Sequence, residues 1–532
     1  MKTYIKNIIP AAALFLAVGL DSCTKDLDVT PIDPNLETNI QPEALFNKCY
    51  ANIAVAGNGG ANGDCDVDGI DGGTSGFVRQ MWNANELTTD ESICGWGDEG
   101  IANFCYNTYD ASHPMLRGYY YRLYTGISFC NQYLQEFGDK DATMTAEVRF
   151  IRAFDYFLLL DGWGNVPFVT GITSDKPAQY SRSDMFNFIE SELLEIEPQL
   201  SAAVAKKSSD PNYGRVDKAA AWMLLARLYL NAEVYTGTAR YDKASQYAEQ
   251  VMNSSYKLNR DGVGSWSAYQ MLFMADNGET SAAYEAIFPI LQDGVRTTSW
   301  GTTLFLIAST HDADMADCNG TTEAWGGNRA RPELIAKWFP KGDAPAELSP
   351  KDFAKAAGDD RAIIDSRGRI IDNVDVSAFK NGYAVAKFNN YTSSGAATSS
   401  SQFPDGDFFM LRAAEAYLTY AEAQARIGGG TAQNAAAAAI NQLRLRANAT
   451  TKDSYTLDEI CDEWCREFYY EGRRRMDLIR FGKFGGSSDY TWQWKGGSYA
   501  GRNFESYKNL FAIPSTDLNA NPNLVQNPGY AN

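Results

Sequence analysis

Apolar positions recur at helical spacing in several stretches of this chain, and they predict most of its elements. In EVRFIRAFDYFLLL, residues 147–160, Phe150, Phe154, Phe157 and Leu158 share one face, which Ile151, Leu159 and Leu160 widen. A helix of that pattern is buried nearly all round. GWGNVP follows it with the glycines and proline that end a helix. SRSDMFNFIESELLEIEPQL offers Ser183 as an N-cap and a stripe of Phe186, Ile189, Leu193 and Ile196. AAAWMLLARLYLNAEVY carries Trp222, Leu225, Ala226 and Tyr229, a W-x2-L-A-x2-Y spacing close to the first helix of a tetratricopeptide repeat. YDKASQYAEQVM then places Tyr241, Ala244 and Ala248 as in the second helix, where small residues let two helices approach. A second such hairpin spans LRAAEAYLTYAEAQARIGGG and AQNAAAAAINQLRLRA, broken at Gly428–Gly430. LDEICDEWCREFYYEG continues it with Leu457, Ile460, Trp464 and Phe468.

Two long stretches, residues 57–113 and 257–406, lack a sustained period and are rich in small and polar residues. Loops of that length in a compact protein are usually functional. The expected architecture is therefore mainly α, a helical scaffold with irregular insertions, and residues 41–532 form a single domain.

Composition narrows the function. Hydrophobic residues make up 45% of the chain, enough for a large core. A net charge of −19 excludes a basic footprint for nucleic acid and disfavours electrostatic docking on anionic lipid. Two histidines, His113 and His311, leave little material for histidine catalysis or metal binding. At the N-terminus, Lys2 and Lys6 precede an apolar run over residues 8–20, too short to span a bilayer and suited to a signal peptide. LDSC then resembles a bacterial lipobox, with Asp21 where a small residue is usual. The expectation is a signal peptide over 1–22, lipid on Cys23 that holds the protein to a membrane, and an acidic tether over 23–40. The other eight cysteines permit disulfides of unreadable connectivity; Cys461 and Cys465, four apart on a helix, read as small buried hydrophobes.

Catalytic and metal motifs are thin. Asp64, Asp66, Asp68 and Gly69 begin a calcium loop, but its twelfth position is Ser75 in place of glutamate. Calcium is thus conceivable without a complete motif, and no cofactor is required. PDGD, with Asp405 and Asp407, is a weaker pattern. Arg473, Arg474, Arg475 and Arg480 with Glu471 and Asp477 read as a structural ion-pair network more than a phosphate site. Nucleophile elbow, P-loop and zinc-protease patterns are missing. A carboxylate pair for glycoside hydrolysis is uninformative among 66 acids.

Three tryptophans stand apart: Trp96 in GWGDEG, Trp300 in VRTTSWGTT and Trp325 in TTEAWGGN. Each sits beside glycine among small polar residues and off any apolar stripe. A flat ring in such a loop can cover the C–H face of a sugar while neighbouring polar groups read its hydroxyls. The plainer alternative is that each ring pins its own loop. Trp492 and Trp494 in TWQWKGG rank lower, beside the C-terminal region.

The segments EVRFIRAFDYFLLLDGWGNVPF, GRVDKAAAWMLLARLYLNAEVYTG, LRAAEAYLTYAEA, EFYYEGRRRMDLIRFG and IPSTDLNANPNLVQNPGY, in this order, resemble the SusD/RagB family of outer-membrane lipoproteins. VYTG, LFMADN, DGVRT, AAGDDRA and WKGG are similar to its starch-binding member more than to the family at large. The resemblance implies about four tetratricopeptide-like hairpins carrying a loop-built glycan face. It also implies a non-catalytic role on the cell surface, capturing starch or malto-oligosaccharides for a SusC-like TonB-dependent outer-membrane transporter. It places an aromatic arc on Trp96, Trp300 and Trp325, and polar contacts on Asp71 and Arg79. Glu99 stands where that member has an asparagine, and Trp300 where it has a tyrosine. Other readings are a binder of another glycan class, a glycoside hydrolase on a helical fold, and a peptide-gripping repeat scaffold.

Overall fold

The helix Ala142–Gly162 shows how the apolar pattern builds the scaffold. Every residue from Ala146 to Gly162 except Arg149 is buried. Asp141 caps its start by accepting from Met144 N at 2.8 Å, and Gly164, at φ +72°, turns the chain away beyond its end. It packs against Pro114–Phe137 before it and Arg182–Ile196 after it. The computed structural model describes residues 40–486 and 489–531. The signal-peptide and tether positions, Cys23 included, lie outside them apart from residue 40. By contacts the chain divides into residues 1–45 and 46–532, and the features that follow belong to the second unit.

The stripe of Phe186, Ile189, Leu193 and Ile196 is buried as expected, but the helix starts earlier than the sequence suggests. Its cap is Ser181, not Ser183. Ser181 Oγ accepts from Asp184 N at 3.1 Å and donates to the Asp184 carboxylate at 2.6 Å. Asp184 answers both Ser181 groups only when Ser181 is the cap, and Ser183 falls in the first turn.

The tetratricopeptide-like pair is Lys218–Leu230 with Tyr241–Met252, where Ala244 and Ala248 are wholly buried at the crossing. Tyr241–Met252 packs in turn on Ala413–Ile427, which packs on Ala435–Arg446 and Leu457–Phe468. The helical series thus continues across the insertion 257–406. Near the ends of that insertion, Ala286–Ile290 pairs antiparallel with Phe408–Arg412. A shorter pairing, Ser92–Cys94 with Asn328–Ala330, ties the first irregular stretch to the second, with Ser92 opposite Ala330 and Cys94 opposite Asn328. The fold is mainly α, with tetratricopeptide-like hairpins carrying two insertions joined by a short ribbon.

The arginine-rich turn is structural. Arg474 meets Asp90 at 2.8 Å, Arg480 meets Glu422 at 2.7 Å, and Arg473 meets Asp477 at 3.1 Å, all nearly devoid of solvent. Arg412 joins the same layer through Glu285, Glu467 and Glu471 at 2.7–2.9 Å. Burial alone would raise the Glu467 carboxyl, yet Arg446, Arg412 and Arg361 hold it well below the usual range. Removing one partner of such a pair strands a buried charge, at a cost of about 3–5 kcal/mol. Cys461 and Cys465 are buried free thiols, and burial pushes Cys461 up to about 11. Asp66 of the acidic loop is taken by Lys48 at 2.8 Å, with Arg122 at 3.8 Å. Among the described residues no helix is long and apolar enough to cross a membrane.

Candidate functional site

Asp71, Arg79, Trp96, Trp300 and Trp325 line one open cleft of 660 Å³, together with Asn62, Asp98 and the glycines Gly63, Gly72 and Gly73. Asp71 is there because it caps the short helix Gly72–Ser75, its Oδ1 accepting from Thr74 N at 2.9 Å. Arg79 follows in the first turn of Phe77–Glu86, where its backbone N donates to Gly301 O at 3.0 Å. That bond joins the two insertions a second time. It needs close backbone approach: a Cβ on Gly76 would lie 2.7 Å from Gly301 O.

The guanidinium of Arg79 is nearly buried, donates through Nη1 to Gly73 O at 3.2 Å, and lies 5.5 Å from the Trp96 ring and 5.2 Å from that of Phe305. Burial lowers its pKa, and Asp98 and Asp71 pull it back up. Its Nε is buried without a partner among the described residues. The group lies over the Trp96 and Phe305 rings within cation–π distance.

The three indoles stand side by side. Trp96 and Trp325 have ring centroids 6.3 Å apart at 55°, and Trp325 and Trp300 follow at 6.2 Å and 49°. Neighbouring rings are thus in contact but tilted, and the three do not form one flat wall. Each ring is fixed by its edge: Trp96 Nε1 donates to Trp325 O at 3.4 Å, Trp325 Nε1 to Glu323 at 2.8 Å, and Trp300 Nε1 to Asn62 at 3.4 Å. Behind them, Phe305 packs on Trp96 at 6.3 Å and Phe403 on Trp300 at 5.0 Å. All three tryptophans remain half-buried. Gly327 makes room for the first, since a Cβ there would sit 2.2 Å from Trp96 Cε2.

Glu99 is exposed on the same loop and does not line the cleft; Asp98, one residue earlier, does. Trp492 lies in a separate buried cluster with Leu478 and Phe484, and Trp494 donates to Asn373 O at 2.9 Å, both away from the cleft. Sequence reasoning missed Asn62 and Asp98. Nothing local marks Asn62, which enters only because the Gly60–Asn62 turn meets the 298–300 segment, with Ala61 N donating to Thr298 Oγ1 at 3.2 Å.

The PDGD loop borders a different hollow, of 790 Å³. Its carboxylates have partners: Asp405 accepts from Gly294 N at 2.9 Å and Ser399 N at 2.7 Å, and Asp407 from Gln292 N at 2.8 Å and Tyr213 Oη at 2.7 Å. Burial pushes Asp407 up to about 7. Among the described residues no group of three or more His, Cys, Asp or Glu is placed to hold a metal.

Known proteins resemble the chain over its whole length. A family model described as starch-binding, associating with outer membrane, matches residues 26–230, and that of the SusD family matches residues 366–530. The chain is 40% identical to the starch-binding protein SusD of Bacteroides thetaiotaomicron, over 100% of both chains. Its fold matches a putative sugar binding protein of Bacteroides vulgatus with a TM-score of 0.66 at 20% identity, over 93% of this chain and 100% of that one. It matches surface glycan-binding protein A of Bacteroides thetaiotaomicron, in complex with laminarihexaose, with a TM-score of 0.65 at 20% identity, over 91% and 98%. With a full-length relative at 40% identity and a SusD family model over residues 366–530, the chain belongs to the SusD family.

Proposed function

We propose that this chain is a non-catalytic, cell-surface binder of starch-type α-glucan oligosaccharides. The observation that carries the reading is the row of three mutually tilted rings, Trp96, Trp325 and Trp300, beside Arg79 and Asp71. A helical glucan presents successive ring faces on a curve, and each indole can cover one while Arg79 donates and Asp71 accepts at the hydroxyl rim. The starch-binding name of the 40% identical relative supports the choice of glycan. Asp71 serves as a helix cap, and so fits an anchored contact better than a general acid. In this reading no cofactor is needed, Cys23 carries the lipid that holds the protein at the outer membrane, and the glycan passes to a SusC-like TonB-dependent transporter. A second reading is a laminari-oligosaccharide ligand, favoured by the structural neighbour solved with laminarihexaose.

Calorimetric titration of maltoheptaose and of laminarihexaose into the wild type and Trp96→Ala tests both. The expected result is saturable maltoheptaose binding that weakens roughly 30-fold in the variant, the cost of about 2 kcal/mol for truncating an aromatic anchor, with unchanged melting. Binding of laminarihexaose alone would replace the α-glucan reading by the second. Wild-type affinity in Trp96→Ala would remove the cleft as the site.

A further inference from the structure

We propose that a second hollow, built around Trp266 and sharing no lining residue with the aromatic cleft, binds a single pyranose ring. The segment DGVGSWSAY, residues 261–269, has the composition of the cleft loops: a tryptophan between small polar residues and near glycine, off any apolar stripe. The structure closes it as a tight turn. Val263 N donates to Trp266 O at 3.1 Å and Trp266 N to Val263 O at 2.9 Å, with Gly264 at φ +59°, where a side chain is disfavoured. The indole stacks on Tyr391 with centroids 6.2 Å apart at 26°, and Tyr391 is itself held by its hydroxyl donating to Ala316 O at 3.1 Å. The ring thus has a fixed plane that borders a hollow of 250 Å³.

The hydrogen-bonding inventory singles this ring out. The chain has eleven tryptophans, all described. Eight donate their indole N–H to a protein acceptor, and those of Trp338 and Trp492 are buried without one. Trp266 alone among them has an N–H that is neither bonded to protein nor buried. Two amides beside it are poised in the same way. Gln270 Oε1 accepts from Ser267 N at 3.0 Å and Asn389 Oδ1 accepts from Tyr391 N at 3.0 Å. Each amide is therefore oriented, and its NH2 group has no protein acceptor among the described residues. Asp317, gripped by Arg367 at 2.8 and 3.0 Å, adds a fixed carboxylate to the lining.

An aromatic plane, the indole N–H, two oriented amides and one carboxylate, with the Lys351 ammonium and the Ser265 hydroxyl also on the lining, select a ligand with an apolar face and a rim of oxygen acceptors. A pyranose has both. Pockets for drug-sized ligands run from about 300 to 1,000 Å³. A hollow of 250 Å³ therefore suits one ring and not an oligosaccharide.

The test uses the full chain with fluorinated tryptophan, its ring signals assigned by Trp266→Phe and Trp96→Phe. D-glucose, D-mannose and D-galactose are titrated separately at millimolar concentrations while 19F spectra are recorded. The expected result is a saturable shift of the Trp266 signal with at least one sugar. The shift persists in Trp96→Ala, so failure of the cleft reading leaves it standing. It is lost in the Gln270→Ala, Asn389→Ala double variant, whose other tryptophan signals stay in place and report an intact fold. A Trp266 signal that stays fixed, or drifts without saturation, with all three sugars overturns the proposal. So does a saturable shift that survives unchanged in the double variant.

Discussion

Gly327 sets the position of the first ring of the arc. A methyl group there would overlap the Trp96 indole, at 2.2 Å from Cε2 and 2.4 Å from Nε1, and the backbone on either side is fixed by Gly327 N donating to Ser309 O at 2.8 Å. The ring, not the loop, has to move. Gly327→Ala is therefore expected to weaken maltoheptaose binding by about tenfold or more, in the direction expected of Trp96→Ala, although residue 327 offers no side chain to the ligand. Titration of the variant checks this, and wild-type affinity would show that the indole has another rotamer able to serve. At this scale the sequence marks the tryptophans well, because a large ring among glycines has no local packing to explain it. It marks their company poorly. Asn62 and Asp98 reach the cleft through turns whose course depends on distant segments. The choice between Asp98 and Glu99 is a matter of which way one loop residue points, and resemblance by position does not carry that.

Helix starts are legible only to within a turn, and the helix Arg182–Ile196 shows why. Ser181 and Ser183 are both good caps by type. The difference is that Asp184 both donates its N–H to Ser181 Oγ and accepts the Ser181 hydroxyl. Ser181→Ala is expected to cost about 1 kcal/mol of stability, and Ser183→Ala, at an exposed site in the first turn, close to nothing. Urea unfolding of the two variants distinguishes them, and equal losses would contradict the assigned cap. Long periodic helices are read correctly because many residues vote for one face. The ribbon of Ser92–Cys94 with Asn328–Ala330 is not, because three residues carry no usable alternation and the partner lies in another insertion. Yet that ribbon and the Arg79–Gly301 contact bring the Trp96, Trp300 and Trp325 loops together, so the site is less legible than the scaffold.

Over the whole molecule, buried titratable groups act against each other as pH changes. His113 and His311 are both lowered from 6.5 to about 4 by burial, so the native chain declines protons that the unfolded chain accepts, and their contribution is lost as pH falls from about 6.5 towards 4. Asp155 has the opposite sign. It lies inside the largely buried helix Ala142–Gly162, both carboxylate oxygens lack a partner among the described residues, and burial raises it well above 3.8. The space around it is closed: a Cβ on Gly126 would come within 2.4 Å of its Oδ2. The folded chain therefore keeps the proton while the unfolded chain releases it above pH 3.8. Stability is lost as pH rises, by about 1.4 kcal/mol per pH unit until the native group also ionises. Asp155→Asn keeps the shape and removes the titration. Its stability relative to wild type is expected to be near zero at pH 4 and to grow with that slope towards neutrality. Urea midpoints of the two proteins across this range measure it. A constant offset would mean that the native carboxylate is already ionised at pH 4, which its unpartnered burial forbids.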